Sequence, residues 1–236
     1  RVGPLGTLGS DGQAALLAGL IPSPNNWDPA VSPEKSQQRW DYVLDGMVRD
    51  GYLSEADRAA LVSLAGADSE GFWPAYWRRR NALDQGTLSI QQYWRGIELE
   101  LGEQWADAKI HQLWLADFRS WLSIDQSTLQ VLLDLKEGGT RLALLSNAGP
   151  DFGSYFRHGT LGDLFEKVFV SGELGTVKPS ADIFEHVLAE LGVTAAEAVF
   201  IDNKEENVRG AETVGIAGHV YTSAADLRAY LTALAA

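Results

Sequence analysis

The stretch Arg141-Leu142-Ala143-Leu144-Leu145-Ser146-Asn147-Ala148 decides how this chain folds. It follows a helical stretch from about Gln126 to Glu137 that Gly138-Gly139 brings to a stop, so Arg141 to Leu145 reads as a short apolar strand. The form recurs downstream. Lys167 to Val170 and Ala198 to Ile201 are further strand candidates, with a helical pattern over Ala181 to Leu191 between them and another over Glu205 to Val214. His219 to Tyr221 and Asp226 to Leu234 add one more strand and helix. Strands separated by helices of this length predict a parallel α/β sheet covered on both faces. In such sheets ligands bind beyond the carboxyl ends of the strands.

Three groups of polar residues stand at those ends. Ser146 closes the first strand, and its hydroxyl together with the amides of Asn147 and Ala148 can hold phosphoryl oxygens. A serine after a strand is also a common helix cap. Lys178 stands before Pro179, where it can supply a compact positive charge, although a lone loop lysine is more often solvated. Asp202 ends the strand beginning at Ala198, with Asn203 beside it. A carboxylate there suits magnesium, which takes one or two carboxylates plus water and phosphate oxygens, and it equally suits a cap for the next helix.

The formal charge of -13 offers no basic stripe for nucleic acid and would repel phosphate, so a phosphate site must carry its own cations. Disulfides, thiolate metal sites and cysteine nucleophiles are excluded, because the chain has no cysteine. The longest apolar run, Ala14 to Ile21, is too short to span a bilayer and lacks the flanks of a signal peptide. A soluble, cytoplasmic protein without a membrane span is therefore expected; oligomeric state is not legible.

Upstream the chain reads as helical. Ser32-Pro33-Glu34 has the form of a helix start, and Trp40, Val43, Leu44, Met47 and Val48 then form one apolar stripe. Ser54 with Asp57 opens another helix that reaches Gly66. From Asp68 to about Trp121 helices carry Trp73, Trp77, Trp94, Trp105, Trp114 and Trp121, which helix packing explains best. Ser89 and Gln92 form a capping box there, and Gly102 marks the helix end.

Together and in this order, Ser146, Lys178 and Asp202 with Asn203 resemble the second, third and fourth motifs of the haloacid dehalogenase superfamily of phosphohydrolases, over roughly Ala67 to Tyr221. The resemblance implies a Rossmann-like core with an all-helical cap. It implies Ser146 and Lys178 as catalytic residues, Ser146, Asn147, Ala148 and Lys178 around the substrate, and Mg2+ on Asp202 and Asn203. The reaction it implies is attack by an aspartate on a small phosphate ester, giving an aspartyl-phosphate that water then hydrolyses. Two departures stand out. Asn203 replaces the second acid of the usual pair, and the first motif, an apolar strand ending in Asp-x-Asp, is not found. The family's spacing places that motif near Asp45, where Val43 takes the nucleophile's position and Asp45 is left as a candidate acid or base. On the helical stripe, Asp45 and Arg49 are more simply an i, i+4 surface pair.

A second resemblance covers Ser10 to Leu61. Ala14-Ala15-Leu16-Leu17-Ala18-Gly19-Leu20-Ile21-Pro22-Ser23-Pro24, Asp28-Pro29 and Arg39 through Gly51-Tyr52-Leu53-Ser54 resemble the end of the glycosyltransferase domain of bifunctional penicillin-binding proteins. That portion contains neither their catalytic glutamates nor their transpeptidase serine. Three segments are thus expected: 1–66, a mainly helical penicillin-binding-protein-like segment; 67–122, a helical cap; and 123–236, the α/β core. The run Ala14 to Ile21 is apolar enough for the missing core strand, yet its Ala and Leu content suits a helix better. A phosphohydrolase scaffold is the leading reading. A non-catalytic phosphate-binding or interaction protein formed by fusion is its rival, and an inactive peptidoglycan-synthase remnant is third.

Overall fold

Alternation along two strands accounts for the layering of the α/β part. Ala143 and Leu145 share a core with Ala198 and Phe200, while Leu142 belongs to a second core with Val199 and Ile201. Successive strand residues point to opposite faces, so each strand feeds two cores. The first is closed by Ile183, Phe184, Val187 and Leu191 from one helix and Val208 and Ala211 from another. Val131, Leu132, Leu135, Leu227 and Leu231 close the second. Strands apolar on both faces are what a parallel sheet between helical layers requires.

The computed structural model describes residues 15–19, 55–122 and 125–235. The described residues fall into two compact units, one holding 15–19 with 125–235 and the other holding 55–122. In chain order the first unit holds β1 (Ala15–Gly19), α6 (Gln126–Glu137), β2 (Arg141–Ser146), α7 (Asp151–His158), β3 (Lys167–Val170), the single turn α8 (Ser171–Leu174), α9 (Ala181–Leu191), β4 (Ala198–Asp202), α10 (Glu205–Thr213), β5 (Ala217–Val220) and α11 (Ala224–Leu234). Its five strands run in the order β3-β2-β1-β4-β5, and every pairing is parallel.

The central strand departs from the helical preference of its sequence. Ala15–Gly19 is a strand, paired on one side from Ala15 opposite Arg141 to Ala18 opposite Leu144, and on the other from Ala15 opposite Ala198 to Gly19 opposite Asp202. Without it β2 and β4 would each present an unpaired edge inside the sheet, and pairing on both sides outweighs a small per-residue propensity. The helix expected through Trp40 to Val48 lies outside the described residues.

The second unit holds α1 (Glu55–Ala65), α2 (Ser69–Arg78), α3 (Arg80–Asp84), α4 (Ile90–Leu101) and α5 (Asp107–Ser120). Local signals work as the sequence implies: Ser89 and Gln92 close a reciprocal capping box, and Gly102 ends α4 in the left-handed region at φ 69°. Trp73, Trp77, Trp94, Trp105 and Trp121 are buried, and Trp105 Nε1 donates to Ala65 O at 3.1 Å, tying α1 into the bundle. Among the aromatics sits a buried ionic cluster. Arg80 donates to Asp84 at 3.1 Å, to Asp117 at 3.0 Å and to the Tyr76 hydroxyl at 2.6 Å, and that hydroxyl donates to Asp117. No helix among the described residues is long and apolar enough to cross a membrane.

Candidate functional site

The carboxyl ends of β2 and β4 and the loop at Lys178 meet through buried hydrogen bonds. Lys178 is 1% exposed, not solvated as a loop lysine usually is. Its Nζ donates to Asp202 Oδ2 at 2.7 Å and to Leu145 O at 3.0 Å, and lies 5.5 Å from the centre of the Phe200 ring. Burying an ammonium alone would be very costly, and here the carboxylate and carbonyl offset that cost.

Asn147 holds the lysine's backbone. Its Oδ1 accepts from Lys178 N at 2.8 Å and its Nδ2 donates to Lys178 O at 2.9 Å. Pro179 follows through a cis peptide bond. Gly210 in α10 lets the neighbouring helix approach: a Cβ there would stand 2.5 Å from Pro179 O.

Asp202 is held by three donors. Oδ2 accepts from Lys178 and from Asn207 Nδ2 at 3.0 Å, and Oδ1 accepts from Lys204 N at 2.8 Å. Its role is not that of a plain helix cap, because α10 begins after Lys204 with no side-chain cap bond. Ser146 is no cap either: α7 starts after Pro150, and the buried Ser146 Oγ has no hydrogen-bond partner. A buried hydroxyl with an unused donor is unfavourable unless it serves something outside the protein, and an anionic oxygen acceptor suits it.

Ala148 differs from its neighbours. Its N–H already donates to Ser171 Oγ at 2.9 Å, and its carbonyl accepts from Gly172 N at 3.0 Å, so the end of β3 buttresses the loop after β2. A Cβ on Gly172 would lie 2.7 Å from Pro150 N, which explains the absence of a side chain at that position.

Ser146, Asn147, Ala148, Lys178 and Asp202 thus share one buried polar cluster, with half-buried Asn203 next in the chain after Asp202. Asp45 lies outside the described residues. Asn207 and Ser171 went unnoticed in the sequence. Asn207 had a readable signal, an amide in the first turn of the helix that follows Asp202. Ser171 had none, since only the packing of β3 against the loop brings it to Ala148.

The donor set bears on magnesium. No trio of His, Asp or Glu among the described residues is arranged to hold a metal. Asp202 Oδ1 accepts one bond and keeps a lone pair. The residues present therefore fit magnesium in one form, a single carboxylate completed by water and phosphate oxygens.

Comparison with known proteins gives the setting for this cluster. Residues 50–215 match the model of the haloacid dehalogenase-like hydrolase family. The chain is 32% identical over 149 residues to a sesquiterpene phosphatase of Aspergillus oryzae, covering 57% of this chain and 75% of that protein. It resembles the crystal structure of a haloacid dehalogenase family enzyme of Bacteroides thetaiotaomicron in complex with magnesium and inorganic phosphate. There the TM-score is 0.51 at 27% identity, over 60% of this chain and 73% of that one. The N-terminal segment has a separate likeness: 58% identity over 50 residues to penicillin-binding protein 1A of Mycolicibacterium smegmatis, covering 21% of this chain but only 6% of that protein.

Proposed function

Because the chain belongs to the haloacid dehalogenase-like hydrolase family, we propose that its α/β unit carries a phosphatase-type pocket for the phosphoryl group of a small phosphate ester. The observation that carries this reading is the buried Ser146 Oγ without a partner, at a strand end one residue from the backbone clamp on Lys178. Ser146 donates its hydroxyl hydrogen to a phosphoryl oxygen. Lys178, with two of its three N–H bonds on Leu145 O and Asp202, keeps one donor and its positive charge for the same group. That charge is needed locally in a protein of net charge -13.

Asp202 with Asn203 is the place for magnesium in this reading, and a bound magnesium ion would offset the charge of the phosphoryl oxygens. Asp202 has a second task, holding the Lys178 ammonium in place. The phosphatase relative and the phosphate-bound neighbour support the substrate class, a small phosphorylated molecule.

Calorimetric titration of inorganic phosphate, with and without magnesium, tests the pocket. Binding that is weakened in Ser146→Ala and lost in Lys178→Met is expected. Equal affinity in wild type and both variants would refute the reading.

A further inference from the structure

Hydrogen phosphate and sulfate are tetrahedral dianions of the same charge and nearly the same shape. They differ in one proton. A site separates them by meeting that proton with a fixed acceptor, which faces sulfate as an unpaired like charge. The pocket holds such an acceptor beside its donors.

The donors come from two residues. Ser146 Oγ is buried and has no hydrogen-bond partner. Lys178 Nζ donates to Leu145 O at 3.0 Å and to Asp202 Oδ2 at 2.7 Å, which leaves its third N–H for a ligand. Since Leu145 immediately precedes Ser146 in β2, the ammonium stands at the strand end that carries the hydroxyl.

The acceptor is the carboxylate paired with that same ammonium. Asp202 is 1% exposed, and Lys178 Nζ and Asn207 Nδ2 donate to its Oδ2 at 2.7 and 3.0 Å. Each carboxylate oxygen has about two acceptor sites. Among the described residues Oδ2 is therefore filled, while Oδ1 takes only Lys204 N, at 2.8 Å, and keeps a lone pair. The carboxylate is also held in place. One of its donors is backbone, and another, Asn207, is itself 3% exposed in the first turn of α10, so Asp202 is not free to swing away from an anion that repels it.

We infer that the spare lone pair on Asp202 Oδ1 makes the metal-free pocket selective for a tetrahedral oxyanion that carries a proton. The inference rests on the pocket reading above and deepens it: Ser146 and Lys178 call for an oxyanion, and Asp202 decides which one. An anion bonded to the third N–H of Lys178 and to the Ser146 hydroxyl lies alongside this carboxylate. Hydrogen phosphate gives its P–OH to Oδ1, and this charge-assisted bond offsets the repulsion between the two anionic groups. Sulfate has no proton to give, so its bare oxygens meet the carboxylate where water screens poorly. The dianion of a phosphate monoester stands with sulfate, because its proton is lost above about pH 6. Magnesium on Asp202 would engage the same lone pair, so this selectivity belongs to the metal-free chain.

The test is calorimetry on the full chain at about pH 8 with a chelator present, titrating inorganic phosphate, sulfate and methyl phosphate, all dianions there. Phosphate should bind about tenfold or more tightly than either of the others, the scale of one hydrogen bond to a charged group. In Asp202→Ala, checked for native circular dichroism, sulfate should bind as tightly as phosphate. The wild-type comparison stands whether or not that variant folds. Equal wild-type affinity for phosphate and sulfate, or for phosphate and methyl phosphate, would overturn the inference and leave the pocket reading standing. So would a preference that survives in folded Asp202→Ala, or phosphate binding seen only with magnesium. Failure of all three anions to bind, with chelator and with magnesium alike, would refute the pocket itself.

Discussion

Asn147 grips Lys178 at both ends of one residue's backbone, accepting from its N–H at 2.8 Å and donating to its carbonyl at 2.9 Å. The lysine's position in the cluster is therefore set by its main chain as well as by the Asp202 carboxylate at 2.7 Å. Asn147→Ala leaves two buried backbone groups without partners, at about 1–3 kcal/mol each. Denaturant unfolding should show that loss. Phosphate affinity should fall too, and Asn147→Asp, which keeps only the acceptor, should recover less than half of it.

Removing the cation acts on Asp202. Lys178→Met leaves a buried carboxylate without its charge partner, and such a change costs about 3–5 kcal/mol. Replacing both residues by apolar side chains, Lys178→Met with Asp202→Leu, should restore most of the stability and none of the phosphate binding. Paired unfolding and calorimetric measurements on the single and double variants separate the two effects.

Gly210 sets how closely α10 approaches the loop that carries Lys178. A Cβ at 2.5 Å from Pro179 O cannot be accommodated without moving backbone, because the atom it meets is not the end of a flexible side chain. Gly210→Ala should lower the unfolding midpoint by an amount corresponding to about 1–3 kcal/mol, the usual cost of overpacking. Gly192, where nothing lies within 4 Å, is a control for space; its φ of 65° confines the penalty at that position to backbone strain.

In the helical unit, Arg80 is the cation between Asp84 and Asp117 in a cluster where all three are buried. Arg80→Met should destabilise this unit by about 3–5 kcal/mol. Near-ultraviolet circular dichroism of the tryptophans would report it, since Arg80 also lies 5.2 Å from the centre of the Trp121 ring.

Alkaline pH should act on the same cluster. Burial pushes the Tyr76 and Tyr93 phenols well above their ordinary value of 10.0. The unfolded chain then loses those protons first, so stability is complete below about pH 10 and falls as pH rises from there through the folded values. Phenolate absorbance from these two tyrosines should appear together with unfolding and not before it. The slope of stability against pH should be shallower in Tyr93→Phe, which gives up the bond to Tyr76 O.

Much of this protein is determined by local sequence. Leu142 to Leu145 and Val199 to Ile201 are apolar at every position, and the helices between them have glycine or proline at their borders, so strands, helices and a two-faced parallel sheet follow from residue order alone. The placing of Ser146 and Asp202 at strand ends follows too, because a strand end is a local property, whereas Lys178 stands in the loop before α9 and not at the end of β3. Tertiary structure alone decided three things. Ala15–Gly19 became the central strand because β2 and β4 each needed a partner, against the segment's own preference for a helix. Lys178 became buried because Asp202, Leu145 O and Asn147, from 24 to 33 residues away in sequence, converge to satisfy it. And the level of Gly19 beside Asp202 is a matter of register, which depends on pairing between segments that share no local signal.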